Sequence, residues 1–221
     1  MLTNMSAPDF PKMHGLTRGE LSSLRRLSSP ARIQDFLNAL PYNFDQGRDT
    51  LRSPRRVLRE RSAHCIEGAL LAAAALWVQG QPPLLLDLRS APDDLDHVVA
   101  LFRRHGHWGA LSKTNHVVLR YREPIYRTVR ELAISYFHEY FLDDGRKTMR
   151  DFSDPFDLRR HDPSWLTSED DLWELAGDLD ESPHRPILSV AQRRGLRLAD
   201  PIERRAGKLV VHRAGRRKRV S

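Results

Sequence analysis

The chain has 221 residues, of which 40% are hydrophobic and 29% charged, a composition typical of a globular protein with one main domain. A single cysteine excludes an internal disulfide, and no apolar run is long enough to span a bilayer. With no apolar secretion segment near Met1, we expect a cytoplasmic protein that does not contact membranes. The net charge is +7, and six basic residues between Ala206 and Ser221 supply most of it.

Four helices are predicted in the first eighty residues. Leucines at helical spacing predict the first, and a serine followed by proline, a typical N-cap and first turn, opens the second and third. The fourth begins near Cys65, runs through an Ala- and Leu-rich stretch and ends near Gly80. The first three predicted ranges are Thr17–Leu27, Pro30–Leu37 and Ser53–Leu58.

The pattern then changes to short apolar runs that predict four strands, followed by further helices. The predicted strands are Leu84–Leu88, His97–Arg103, Trp108–Ser112 and His116–Tyr121. Helical spacing and capping residues predict helices over Thr128–Phe141 and Trp165–Leu175, the second with Thr167 or Ser168 as N-cap. Helices, then an antiparallel sheet, then helices, define an α+β fold.

Composition and element type divide the chain into four parts. We expect an N-terminal helical segment over residues 1–50, a core over 51–145 and a C-terminal helical extension over 146–205. Residues 206–221 form a basic tail that we expect to be disordered.

Cys65 has the features of a catalytic nucleophile. The N–H groups in the first turn of a helix favour a thiolate, which is the nucleophilic form of cysteine. Such a group needs a base, usually histidine, and a residue that orients the base. Pairing the strands across the Arg104–His107 turn places His97 beside Ser112 and the Lys113–Asn115 segment. The alternative is a buried structural cysteine, because free cysteine is often buried.

The order of these pieces resembles the transglutaminase-like branch of the papain-like cysteine protease superfamily. The matching stretches are Ser53–Leu58, Ala63–Ala69, His97–Phe102 and Gly106–Ser112. The resemblance implies a papain-like core in which the helix that carries the cysteine packs on an antiparallel sheet. It also implies that Cys65 is the nucleophile and His97 the general base. Where the family has an aspartate to orient the histidine, this chain has Ser112. Asn115 is an alternative, and Asp96 and Asp87 are further candidates.

These residues predict a thiol-dependent hydrolase or acyltransferase that acts on an amide or ester through an acyl-enzyme. Water as acceptor gives a peptidase or amidase, and an amine gives cross-linking. The sequence has neither the paired-cysteine spacing nor the HExxH spacing of a metal site, so we expect no metal. The chemistry also requires no organic cofactor. The substrate is expected to be a peptide or another amide.

The missing aspartate motivates a second hypothesis, that the domain is a catalytically inactive binding module. In that case its basic tail, residues 206–221, recruits an acidic partner. The same tail also suggests weak contact with nucleic acid, although no nucleic-acid-binding motif supports it.

Overall fold

The computed structural model of the chain describes residues 15–44 and 48–213. Its first four helices begin where the capping residues predict. They are α1 (Arg18–Arg26), α2 (Pro30–Ala39), α3 (Pro54–Glu60) and α4 (Cys65–Val78). The side chains of Thr17, Ser29 and Ser53 each accept the backbone N–H three residues on, which stabilises the starts of α1, α2 and α3.

A mainly antiparallel sheet follows α4, and it confirms the predicted α+β class. Within the described residues the strands are β1 (Leu84–Arg89), β2 (His97–Arg104), β3 (His107–Leu111), β4 (Arg122–Tyr126), β5 (Asp151–Ser153), β6 (Phe156–Asp157) and β7 (His184–Pro186). Their order across the sheet is β4-β3-β2-β1-β5-β7, and β6 also pairs with β1. The β2–β3 hairpin turns at the predicted place, with Arg104 opposite His107 and Ala100 opposite Leu111.

The predicted strand over His116–Tyr121 is wrong. The fourth strand lies later, at Arg122–Tyr126, and includes Pro124. Pro124 is tolerated because β4 is an edge strand, where a missing N–H need not disrupt a ladder, and its pairing with β3 is irregular at that point.

The predicted helix over Trp165–Leu175 is also wrong. A 3₁₀ turn occupies Pro163–Leu166, and the helix α6 begins later, at Trp173–Glu181. The Ser168 hydroxyl closes a local turn with the backbone of Asp170 instead of capping a helix. The Asp171 carboxylate accepts from the Leu51 backbone and the Arg56 guanidinium, so the acidic run serves tertiary contacts.

The remaining helices are shorter than the sequence suggests. The predicted helix over Thr128–Phe141 is divided into α5 (Val129–Ile134) and a 3₁₀ turn at Phe137–Glu139. The last two helices of the described residues are α7 (Val190–Arg194) and α8 (Pro201–Gly207). Residues 146–205, predicted to be a helical extension, also supply β5, β6 and β7, so they belong to the same sheet as β1. Residues 214–221 of the predicted basic tail lie outside the described residues.

The helix α4 packs on one face of the sheet and is buried on all sides. Every residue from Glu67 to Leu76 is buried, and Leu70, Leu71 and Leu76 have no exposed surface. Each such leucine stabilises the fold by about 1.5–3 kcal/mol. A second apolar cluster, which includes Leu132 and Tyr136, covers the opposite face of the sheet. The sheet is therefore fixed between two cores, and α4 has a fixed position on it. No helix of the described chain has the length and apolar character needed to cross a membrane.

A glycine brings α4 close to the end of β3. A Cβ atom built on Gly68 would lie 2.4 Å from the Cβ of Lys113 and 3.6 Å from a methyl group of Leu37. The first turn of α4 can therefore approach Ser112 and Lys113, which follow β3, only because residue 68 has no side chain.

Replacing Gly68 by alanine is expected to lower the free energy of unfolding by about 1–3 kcal/mol, the usual cost of an overpacked core. Gly177 in α6 is the matched control, because a Cβ there would meet nothing within 4 Å. Alanine at 177 is expected to stabilise the helix by about 0.5–1 kcal/mol. Urea unfolding of both variants measures the difference. Equal effects at the two positions would show that close packing at Gly68 does not matter.

Candidate active site

Cys65 is the first residue of α4 and is half-buried. Three features fix its position. The helix behind it is held in the core, Gly68 allows close contact with Lys113, and the Tyr42–Ala63 bridge anchors the chain that leads into the helix. The N–H groups of this first turn lack intrahelical partners and carry partial positive charge, which favours an anion at Cys65.

His97 and Ser112 meet as the strand pairing predicts. His97 opens β2 and Ser112 follows β3, and the two side chains lie on the same face of the hairpin. The Nε2 atom of His97 is 2.8 Å from the Ser112 hydroxyl oxygen. Both residues are buried, with 6% and 1% of their surface exposed.

The hydrogen bonds of Ser112 decide which nitrogen of His97 faces the sulfur. The Ser112 hydroxyl donates its single hydrogen to the Leu119 carbonyl oxygen at 2.5 Å. A carbonyl oxygen can only accept, so the hydroxyl oxygen must in turn accept from His97. Nε2 of His97 therefore carries a proton, and Nδ1 is the atom left to exchange a proton with Cys65.

Gln34 holds the backbone of Ser112 in place. Its side-chain amide donates to the Ser112 carbonyl at 2.8 Å and accepts from the Ser112 N–H at 3.0 Å. Next to it, the Lys113 ammonium donates to the carbonyl groups of Leu37 and Leu40 at the end of α2. Burial, with a smaller contribution from Arg120, lowers the pKa of Lys113 to about 8. The end of β3 is thus tied to α2 by two buried polar side chains.

Two imidazoles lower the pKa of the Cys65 thiol. Burial alone raises that pKa, but hydrogen bonds to His64 and His97, together with the charges of the two rings, outweigh it and lower the pKa to about 5. The sulfur is therefore a thiolate at neutral pH, and a thiolate is the nucleophilic form.

His64 is a site residue that the sequence reasoning missed. Its Nε2–H donates to the Thr50 carbonyl at 2.8 Å, which leaves Nδ1 for the Cys65 sulfur. Burial lowers the pKa of the ring, but the hydrogen bond and charge of Cys65 and the charge of Glu67 raise it to about 9. His64 is thus an imidazolium at neutral pH and places positive charge beside the thiolate.

Glu67 organises the chain around the start of α4. Its carboxylate has no exposed surface and accepts from the backbone N–H of His64 at 3.0 Å, the Thr50 hydroxyl at 2.8 Å and the Arg52 N–H at 3.0 Å. These donors compensate the loss of water around a buried charge. The available sequence signal was a glutamate three residues after the N-cap, the spacing of a capping box.

Cys65 and His97 line the same open cleft, which has a volume of about 270 Å³. Segments 94–96, 113–119 and 139–143 form most of its wall, and α8 contributes Arg204 and Gly207. His64 is not among the lining residues found in the described part of the chain. A ligand in the cleft would therefore meet the sulfur and the ring of His97, while His64 acts on the sulfur only.

The other predicted partners of His97 are engaged elsewhere. Both polar atoms of the Asn115 amide bond the backbone of His212, at 2.8 and 2.9 Å. Asp96 accepts from the backbone and hydroxyl of Ser90. Asp87 lies 3.1 Å from Nε2 of His184. Of the sequence candidates, Ser112 is the one that the structure bonds to His97.

Comparison with known proteins adds little to this geometry. No family model matches the chain, and no curated protein matches it in sequence. One solved structure, described as "Crystal structure of a TGase", aligns with 59% of this chain at 14% identity and a TM-score of 0.36. This chain spans only 39% of the length of that structure. Similarity this low says nothing about activity. The function of the site is therefore inferred from its own geometry and charges.

Replacing His64 by glutamine is expected to raise the pKa of Cys65 by about one unit or more, because the amide removes the positive charge beside the sulfur. The rate of Cys65 alkylation by iodoacetamide, measured against pH, reports this pKa. His138→Gln is the control, because His138 is exposed on the 3₁₀ turn. An unchanged pH midpoint in His64→Gln would show that His64 does not stabilise the thiolate.

Proposed function

We propose that this protein is a transglutaminase-like, thiol-dependent hydrolase or acyltransferase that acts on an amide or an ester through an acyl-enzyme. One observation carries the proposal. A sulfur at the start of a helix, with a pKa lowered to about 5, shares an open cleft with His97, whose other nitrogen is held by Ser112. Thiol catalysis requires a nucleophile, a base that is hydrogen-bonded to it, and a group that orients the base.

The groups divide the reaction between them. The Cys65 sulfur attacks the carbonyl carbon of the substrate, and the proton from the thiol resides on Nδ1 of His97. His97 passes that proton to the leaving nitrogen or oxygen as its bond to carbon breaks, which leaves a thioester on Cys65. Water or an amine then attacks the thioester, gives a proton to Nδ1, and releases an acid or a new amide with the thiolate.

Two further features support catalysis. The N–H groups in the first turn of α4 carry partial positive charge and can stabilise the oxyanion that forms when the sulfur attacks. His64 stays protonated and holds the resting thiolate, so the sulfur is already deprotonated when the substrate binds.

A second candidate function is a binding module without turnover. Ser112 motivates it, because a neutral hydroxyl fixes the tautomer of His97 but does not stabilise the imidazolium as a carboxylate does. The alternative and the main proposal differ in what happens to an acyl group once it reaches Cys65.

The proposal is tested with p-nitrophenyl acetate, an activated ester. We expect a burst of nitrophenolate, an acetyl group on Cys65 by intact mass, and then steady turnover.

His97→Ala is expected to slow turnover by roughly 10²–10⁴-fold, the usual range for a general acid–base group. Ser112→Ala is expected to slow it by about tenfold, the effect of one net hydrogen bond. Adding a primary amine separates acyl transfer from hydrolysis by the product formed.

The control is His138→Ala, whose side chain is exposed and is expected to leave turnover unchanged. Acetylation of Cys65 no faster than that of a free thiol, with no effect of His97→Ala, would contradict catalysis and favour the binding module.

A further inference from the structure

The chain's own C-terminal segment pairs with a stretch of backbone beside the cleft. The Val117 N–H donates to the Leu209 carbonyl at 3.0 Å, and the Val211 N–H donates to the Asn115 carbonyl at 2.8 Å. Between these bonds, His116 lies opposite Val210 in an antiparallel bridge. The segment therefore sits on residues 115–117 as one strand sits on another.

Asn115 extends this pairing with its side chain. The amide donates to the His212 carbonyl at 2.9 Å and accepts from the His212 N–H at 2.8 Å. Both backbone groups of one residue are thus held by one asparagine. Such a contact recognises an extended backbone, whatever side chain stands at that position.

The three apolar side chains at positions 209–211 contribute little to the attachment of the segment. Leu209, Val210 and Val211 leave 62%, 40% and 54% of their surface exposed. Backbone hydrogen bonds near the surface contribute only modestly each, because water competes for the same groups. The pairing is therefore the kind that another extended chain could replace.

The paired stretch continues into the wall of the cleft. Thr114, His116, Val118 and Leu119 all line it, and Gly207, just before the paired segment, lines it too. A chain bound along residues 115–117 would run beside the opening that leads to Cys65 and His97.

We propose that residues 115–117 form a docking edge for an extended polypeptide, and that Leu209–His212 occupies this edge in the free protein. The proposal rests on the proposed function, for which it names the substrate class: a polypeptide whose backbone pairs with the edge while a neighbouring amide enters the cleft. The C-terminal segment then competes with substrate.

The test uses the full chain with Val211→Pro, which removes the N–H that bonds Asn115 and frees the edge. Val210→Pro is the matched control, because the backbone bonds described between the two stretches use the N–H groups of Val117 and Val211 and not that of Val210. The probe is a fluorescent peptide with the sequence of residues 207–213. We expect it to bind Val211→Pro at least tenfold more tightly than wild type or Val210→Pro, measured by fluorescence anisotropy.

A second pair of probes tests the bond itself. N-methylation of the peptide at the position of Val211 is expected to weaken binding to the Val211→Pro protein about tenfold more than N-methylation at Val210. Absence of binding to Val211→Pro, or equal effects of the two methyl groups, would overturn the docking edge.

Iodoacetamide labelling of Cys65 in the same proteins separates this proposal from the proposed function. Rapid labelling without peptide binding would overturn the docking edge alone. Peptide binding with Cys65 labelled at the rate of an ordinary thiol would support the edge and contradict the thiol chemistry.

Discussion

The contact between the Cys65 sulfur and the imidazoles of His64 and His97 is the interaction on which the site depends. A helix N-terminus alone stabilises an anion by about 0.3–1 kcal/mol, which is less than one pKa unit. The pKa of Cys65 falls from 9.0 to about 5 although burial acts against it. The two histidines therefore make the larger contribution. They also differ in role, because His97 faces the cleft and His64 does not line it.

Buried polar groups hold each of these rings in place. Glu67 joins the loop through Thr50 to the start of α4 and so positions His64. Gln34 is hydrogen-bonded to the backbone of Ser112, and Ser112 fixes the tautomer of His97. Gln34 in α2 and Ser112 after β3 together position His97, so long-range packing assembles that side of the site. Glu67 holds His64 through a local contact at the start of α4. Loss of one support would shift a ring without removing it.

The sequence predicted the α+β class, the starts of the first four helices and the β2–β3 hairpin, because caps, prolines and apolar spacing act locally. The same hairpin pairing brought His97 to Ser112. Sequence reasoning failed where distant contacts decide: the acidic run at 169–171 serves Arg56 and Leu51 instead of a helix start. It missed His64, Glu67 and Gln34, because their partners lie up to 78 residues away or depend on the burial of the helix start. Asn115 was assigned to His97 from the strand pairing and the family resemblance, whereas its partner is His212, 97 residues on.

The ionisation of Cys65 in the intact protein tests the account most directly. The ultraviolet absorbance of the thiolate, taken as the difference between wild type and Cys65→Ser, can be titrated against pH. Because the pKa is lowered, the thiolate should persist at neutral pH and disappear only as the pH falls through about 5. A thiolate that appears only as the pH rises through about 9.0, the ordinary pKa of cysteine, would contradict the account.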